Sequence, residues 1–427
     1  MSTTQDRGKE RYFPDFKPTS SGRRWYQHDI DVIVYSDMFR KLQRKSQLLS
    51  IHDPVSRSRL IHTFEVVRIA KEISEKLGLN TELTEAIALA HDFGNVAYGK
   101  PADIFLQKHT SELFKHEEVS ALMLKVCASR PIPEKYRQIA REEIEKDTNH
   151  THFIKISEFP HQLEVYQYKK SIYYICMSPE VIDGVIKHGT SKTALTLEGQ
   201  VVNYADNIAY LIQDISDFEA TGIFDRDTKE RYEHCLQEFE TEDSNKKFPI
   251  SGVVGKTTSI RTATLIERFV AYNIDKVTKD CEGQRLPDVI YSPILMRDIP
   301  CLEIDPLLIK AIDACWKFKE EFYTNELIKV SNLASNTKMN QIWNILDNNS
   351  VFVEKNNSYI EFLKILSSPI FNSFRKESGI ESEQQWELWK KAFFVAHLTC
   401  DEIDLIIKSF LERDYVFDLS LPTIKKK

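Results

Sequence analysis

The chain has 427 residues, 42% of them apolar, and a formal net charge of −7. That length allows two or three domains, or one large helical body with appendages, and the apolar share suffices for a sizeable core. No apolar run approaches the ~20 residues of a membrane span. The polar start, Met1-Ser-Thr-Thr-Gln-Asp-Arg7, lacks the apolar stretch of a secretion signal, so a cytoplasmic location is expected. Seven cysteines are scattered with no C-x-x-C pair, which fits a reducing compartment and excludes a zinc knuckle. The acidic balance argues against general nucleic-acid binding, though not against a local basic pocket for one nucleotide.

In chain order, the first 30 residues read as an arm rich in Arg, Tyr and Pro. A helix is expected through Asp37-Met-Phe-Arg-Lys-Leu-Gln-Arg44, followed by a loop at Ser50-Ile-His-Asp-Pro-Val-Ser56. Leu60, Phe64, Val67, Ile73 and Leu77 recur at helical spacing and stop at Gly78. Asn80 or Thr81 caps the next helix, whose stripe is Leu83, Ala86, Ile87 and Ala90; His91 and Asp92 close it before Gly94. The Tyr-, Val- and Ile-rich stretch Leu163–Met177 fits either strand or irregular chain. Ser178-Pro179 reads as a cap with proline in the first turn of a helix through Val181, Val185 and Ile186. Further helices are expected over Leu197–Ile215 and Ile260–Ile274, then several more separated by polar connectors. The Lys425-Lys426-Lys427 tail reads as a solvated end.

His91-Asp92 is the most informative pair. It lies between His62 upstream and Asp206 downstream, all in stretches that read as amphipathic helix. Two imidazoles and two carboxylates suit Mn²⁺, Fe²⁺, Co²⁺, Ni²⁺ or Mg²⁺ and leave room for water and a phosphate oxygen. Taken singly, each has a bland reading: a satisfied buried histidine, a pair at a helix end, a surface acid. Other motifs carry less. Gly252-Val-Val-Gly255-Lys256-Thr257-Thr258 lacks the first glycine of a phosphate loop, since Ile250 stands there, and reads as a polar loop. His150-Thr-His152 reads as part of a charged loop, and His109, His161 and His234 have no supporting context. Cys315-Trp316 and Phe393-Phe-Val-Ala-His397 read as helix core.

The flanking sequences resemble one family, the HD-domain deoxynucleoside triphosphate triphosphohydrolases of the dGTPase-like kind. Phe39-Arg-Lys-Leu-Gln43-Arg is similar to its Arg-Leu-Gln stretch. Arg59-Leu-Ile-His62-Thr-Phe-Glu-Val matches its R-L-x-H helix, and Glu85-Ala-Ile-Ala-Leu-Ala-His91-Asp92-Phe-Gly94 its HD helix. Phe114-Lys-His116-Glu117 resembles a later F-x-H element, Glu180–Gly189 a further stretch, and Leu197–Tyr210 the segment ending in Ala-Asp-Asp-Ile-Ala-Tyr. The resemblance implies an all-α fold: an N-terminal arm over 1–35, an HD-type helical bundle over 36–275 and a helical C-terminal region over 276–427. It implies hydrolysis of dNTPs to deoxynucleoside and triphosphate with a divalent ion (Mn, Mg, Fe or Co) held by His62, His91, Asp92 and Asp206. Arg59 would hold a phosphate oxygen, Tyr210 would pack on the deoxyribose, and Asp214 with Gln43 beside it would take the 3′-hydroxyl. Arg261 would reach a phosphate. The family also implies a homo-oligomer, tetramer or hexamer, and a nucleotide effector.

The departure from the family lies just after the HD pair. Asn95 and Lys100 stand where it has histidines, while Asp103 fits its carboxylate position. Three readings follow: Lys100 acts as clamp or acid; His116 takes over proton transfer with Glu117 beside it; or hydrolysis has given way to nucleotide sensing. A lysine that keeps its proton near neutrality is a poor base. Another HD phosphohydrolase with a different nucleotide substrate, and a metal-free helical scaffold, are the remaining rivals.

Overall fold

The computed structural model describes residues 24–47, 57–146, 153–156, 163–168, 170–220, 247–254, 257–279, 301–348 and 368–411, with a few further positions between 222 and 245 and at 366. The chain before residue 24, residues 48–56, His150, His152, His161, Lys256 and residues 425–427 lie outside the described residues.

The described chain is helical. In order it forms α1 (Trp25–Val34), α2 (Asp37–Lys41) with a 3-10 turn at Leu42–Arg44, α3 (Arg59–Leu77), α4 (Thr81–Ala90), α5 (Lys100–His109) and α6 (His116–Ala128). After strand β1 (Ser129–Pro131) come α7 (Arg137–Lys146), β2 (Phe153–Ile156), β3 (Leu163–Tyr168), β4 (Ser171–Ile175), α8 (Pro179–Lys187) and α9 (Leu197–Ala220). Helices α10 (Thr258–Lys279), α11 (Pro306–Tyr323), α12 (Glu326–Asn348), α13 (Pro369–Glu377), α14 (Glu383–His397) and α15 (Cys400–Leu411) complete it. Among the described residues, no helix is long and apolar enough to cross a membrane. Among the described residues, the five cysteines form no disulfide with one another.

Local chemistry fixes the ends of the helices that matter. Helix α3 stops at Gly78, which adopts φ 72°, a left-handed conformation that glycine takes without a Cβ clash. Asn80, not Thr81, caps α4: its side chain accepts from the backbone N–H groups of Glu82 and Leu83. The four apolar stripe residues of α4 are all buried. The HD turn then presses onto the start of α6. A Cβ on Gly94 would collide with the His116 carbonyl and the Ser120 amide nitrogen, and the Gly94 N–H donates to Ser120 Oγ at 2.8 Å.

Several expectations need correction. Residues 25–34 are not arm: α1 buries Tyr26, Val32 and Ile33 in the main core. Phe64 is 50% exposed and meets only the edge of the Phe39 ring at 6.0 Å; the buried face of α3 instead runs through His62, Val66, Ile69, Ala70 and Ile73. Ile186 likewise faces outward. Ser178 does not cap α8, because its hydroxyl donates to the buried Asp29 carboxylate at 2.8 Å. Within the stretch 163–177, residues 163–168 and 171–175 are strands, joined in an antiparallel sheet of order β1-β4-β3-β2 with Val165 opposite Tyr174. Its aromatic and β-branched residues suit a half-buried pleated surface, and with Ile132, Ala140 and Ile144 they form a small second core.

The C-terminal helices close over the HD turn. The Lys45 ammonium, fully buried, donates to the carbonyls of Asn95 (2.6 Å) and Ala396 (2.8 Å) and, more weakly, Phe93 (3.4 Å). Lys41 bridges to Glu402 at 2.9 Å, and Tyr98 donates to Asp404 at 3.0 Å. The Phe393–His397 run is core, as is Cys315.

Candidate metal and nucleotide site

Three elements converge on one point. Helix α3 presents Arg59 and His62 three residues apart, hence on one face; the turn after α4 presents His91 and Asp92; and α9 presents Asp206, Tyr210 and Asp214 at successive turns. His62 Nε2 lies 2.9 Å from Asp206 Oδ1 and 3.7 Å from Asp92 Oδ2, while His91 Nε2 lies 3.5 Å from Asp92 Oδ2 and 3.7 Å from Asp206 Oδ1. Ligands ~2.1 Å from a common ion are separated by about 3.0 Å along an octahedral edge and about 3.4 Å along a tetrahedral one. The observed separations are of that size.

The second ring nitrogens are already committed. His91 Nδ1–H donates to the Ala88 carbonyl at 2.7 Å, and His62 Nδ1–H to Gln213 Oε1 at 2.9 Å. Each histidine therefore turns Nε2 inward, where it can ligate a cation once deprotonated. His91 Nε2 is buried with no hydrogen-bond partner. A buried imidazole nitrogen facing two carboxylates and a second imidazole fits a cation that displaces its proton, and His62, His91 and Asp92 could hold a divalent metal ion with Asp206 beside them.

The electrostatics agree. Burial opposes charge on His91, but the carboxylates of Asp92 and Asp206 outweigh it and raise its pKa to about 9. Burial also opposes charge on Asp92, yet His91, Arg59 and His62 hold it well below the usual carboxylate range. The two histidines do the same for Asp206. The pocket thus attracts positive charge, and Arg59 supplies some of it by donating to Asp92 Oδ2 at 3.1 Å. The Asn95 amide also donates to Asp92, on Oδ1, so the asparagine in the family's histidine position holds a carboxylate in place.

Beyond the quartet, α9 leads to a second cluster. The Tyr210 ring stands edge-on to His62 (5.9 Å) and is stacked near Trp316 (6.1 Å). Asp214 is fully buried; Lys319 Nζ meets its Oδ2 at 2.6 Å and the Tyr323 hydroxyl donates to the same oxygen at 2.5 Å. Its Oδ1 has no partner. Lys319 also sits 3.8 Å over the Trp316 ring. Trp316 is therefore not simply core, and Lys319 and Tyr323 went unnoticed in the sequence because residues four apart on an amphipathic helix carry no signal of their own.

On the other side stand Lys100, Asp103, His116 and Glu117. Lys100 is 67% exposed, its Nζ 3.8 Å from Asp103. Asp103 and Glu117 are shielded from water, which raises both carboxyl pKa values. Burial, with His188 adding to it, lowers His116 to about 3, so it stands as a neutral imidazole. Its Nδ1 is 3.9 Å from Asp103 and its Nε2 3.6 Å from Glu117. His188, quoted above only as part of a matching stretch, joins this group with its ring 5.5 Å from that of His116.

Two expected site residues are not brought in. Gln43 is exposed on the 3-10 turn and makes no hydrogen bond to Asp214, whose neighbours are Lys319 and Tyr323. Arg261 is buried against Glu219 at 2.8 Å, and Glu219 lies 13 residues beyond Asp206 (219 − 206), about 20 Å along the helix axis. At Gly252 the supposed phosphate loop is a 3-10 turn, Ile250–Val254, that leads toward α10.

Comparison with known proteins adds one family match and three relatives. Residues 59–211 match the HD domain model. The chain is 34% identical over 193 residues to a deoxyguanosinetriphosphate triphosphohydrolase-like protein of Caldanaerobacter subterraneus, covering 45% of each, and 32% identical over 262 residues to one of Clostridium perfringens, covering 60% of each. A third, from Geobacter metallireducens, is 27% identical over 316 residues, 68% of this chain and 71% of the relative. The chain thus spans about half to three-fifths of the length of the first two.

Proposed function

From the premise that this chain is a divergent HD-domain protein of the dGTPase-like family, we propose that it hydrolyses deoxynucleoside triphosphates to deoxynucleoside and inorganic triphosphate. The observation that carries this reading is the succession of three groups along α9. The His62–His91–Asp92–Asp206 cluster lies at one end, Tyr210 one helical turn on, and the unpartnered Asp214 oxygen a turn beyond. A divalent ion at the cluster, with Mn²⁺, Mg²⁺, Fe²⁺ or Co²⁺ as the fitting choices, supplies Lewis acidity toward the α-phosphoryl oxygen and the attacking water.

The chain's own residues do the rest. Arg59 places a planar guanidinium, its Nε without a partner, where a phosphate oxygen can be bound. Tyr210 packs on the deoxyribose where a 2′-hydroxyl would crowd it. Asp214, with one oxygen engaged by Lys319 and Tyr323, offers the other to the 3′-hydroxyl. Water adds to the α-phosphorus as the bond to the 5′-oxygen breaks, and the leaving oxygen takes a proton. Asp103 and Glu117, whose burial favours their protonated forms, are suited to give it; neutral His116 is not a donor, and Lys100 stands in solvent.

Incubation with each of the four dNTPs and Mn²⁺ or Mg²⁺ tests the reading: intact triphosphate and deoxynucleoside should appear in equal amounts. Release of pyrophosphate or orthophosphate instead would point to attack elsewhere on the chain of phosphates. A binding-only role is favoured by one observation, the absence of an imidazole at positions 95 and 100. It predicts tight dNTP binding with no product.

A further inference from the structure

A cavity of about 230 Å³ lies against α9, on a different stripe of that helix from the one carrying Asp206, Tyr210 and Gln213. Its wall there is Gln200, Asn203, Tyr204 and Asn207, spaced three and four apart and so on one face. A second wall is the hydroxyl-rich loop Thr190-Ser191-Lys192-Thr193 that follows α8. Ala194, Leu302 and Ile304 add an apolar side. None of these residues enters the proposed reaction.

The loop is pinned at both ends. Gly189 adopts φ 63°, in the left-handed region, and its N–H donates to Asn203 Oδ1 at 2.8 Å. Asp183 accepts the Leu195 N–H at 2.7 Å on one oxygen and meets Lys187 Nζ at 2.6 Å with the other. Gln200 donates to the Ala194 carbonyl at 3.2 Å and accepts from the Leu302 N–H at 2.8 Å. The loop end packs closely on α9, where a Cβ on Gly199 would meet that of Ala194 at 2.7 Å. Between these pins, the Ser191 and Thr193 hydroxyls and the Lys192 ammonium have no partner among the described residues. A loop whose ends are already fixed loses little further freedom when a ligand engages its middle.

Charge selects the ligand. Lys187 and Lys192 line the cavity, and among the described residues no carboxylate does, although the chain as a whole carries −7. That favours an anion. Lysine is a compact point charge that suits a phosphoryl group, whereas a carboxylate is matched best by the planar fork of arginine, and no arginine is among the described lining residues. A phosphoryl group also brings enough acceptor oxygens for an ammonium and two hydroxyls together. The volume lies below the ~300 Å³ at which sites for drug-sized molecules begin, so the ligand is small. We propose that this cavity binds a small organic phosphate, its phosphoryl group at Ser191, Lys192 and Thr193 and its apolar body against Ala194, Leu302 and Ile304.

Cys301 is exposed and lines the same cavity, which makes its thiol a reporter. The probe is phenyl phosphate, added to the full-length protein freed of metal. Binding is followed by calorimetry and by the rate at which iodoacetamide alkylates Cys301, resolved by peptide mass spectrometry. The expected result is saturable binding with Cys301 protected in step. It should be tighter than binding of inorganic phosphate, which lacks the apolar body, and of benzoate, which lacks the phosphoryl oxygens. Lys192→Glu, a change at an exposed position, should weaken it about ten- to a hundredfold, the scale of one lost charge-assisted contact. Asp206→Ala should leave it unchanged, since the quartet takes no part. Absence of binding overturns the proposal and leaves the quartet standing. Binding that survives Lys192→Glu, leaves Cys301 unprotected or disappears in Asp206→Ala overturns it equally, by putting the phosphate elsewhere. Inorganic phosphate or benzoate binding as tightly as phenyl phosphate overturns the assigned ligand class.

Discussion

The two ends of α9 are built differently. At the Asp206 end, every charged or ligating group comes from residues 59–206, inside the HD domain match. At the Asp214 end, the partners come from α11, about a hundred positions later in the chain: Lys319 and Tyr323 on the carboxylate, Trp316 beside Tyr210. The first end holds an excess of acceptors that a cation completes. The second is a near-balanced buried ion pair with one oxygen left over. A domain motif therefore suffices for the metal end, whereas the nucleoside end depends on the C-terminal region being docked.

The largest effect expected is at the metal end. Asp206→Ala should lose metal affinity by more than the about 10–100-fold typical of outer-sphere changes, and turnover with it, while circular dichroism stays unchanged. Retained turnover would break the assignment of this end. At the other end, Lys319→Met leaves the Asp214 charge buried without its cation, with the Tyr323 hydroxyl still donating to it. Removing one partner of such a pair costs about 3–5 kcal/mol, so the melting temperature should fall steeply while metal binding per folded molecule persists. Loss of metal binding in the folded variant would show that the two ends are not separable.

Smaller effects sharpen the contrast. Tyr210→Ala should narrow the preference for dNTPs over NTPs by up to about a hundredfold, the scale on which apolar walls reject an added hydroxyl. An unchanged ratio would remove Tyr210 from the sugar site. Proton competition should act only at the metal end. In metal-free protein, His91 is raised from 6.5 to about 9, so its contribution to stability is complete below 6.5 and lost as pH rises through 9. Without metal the melting temperature should decline over that window. Metal affinity should climb over the same window as Nε2 sheds its proton, until the His91 titration is complete above 9. Calorimetry with and without Mn²⁺ checks both slopes.

Much of the metal end could be read directly, because His62, His91, Asp92 and Asp206 carry chemistry in their side chains and sit in short recognisable stretches. The helices around them were legible too, through Gly78, Asn80 and the α4 stripe. Periodicity failed at Phe64, which belongs to the apolar repeat of α3 yet faces outward: spacing gives a face but not what covers it. The capping reading failed at Ser178, whose hydroxyl had a buried carboxylate from α1 to satisfy. Arg261 and Gln43 were placed by motif order, and the structure turns one to Glu219 and leaves the other exposed on its turn.

The amino-acid order alone determined the helical class, the ligand types and their sequence along the chain, since these follow from local periodicity and side-chain chemistry. Tertiary structure decided which unmarked residues join them. Lys319, Tyr323 and His188 gain their roles only from what packs beside them, because a buried charge or lone pair is defined by its neighbours and by the water they exclude.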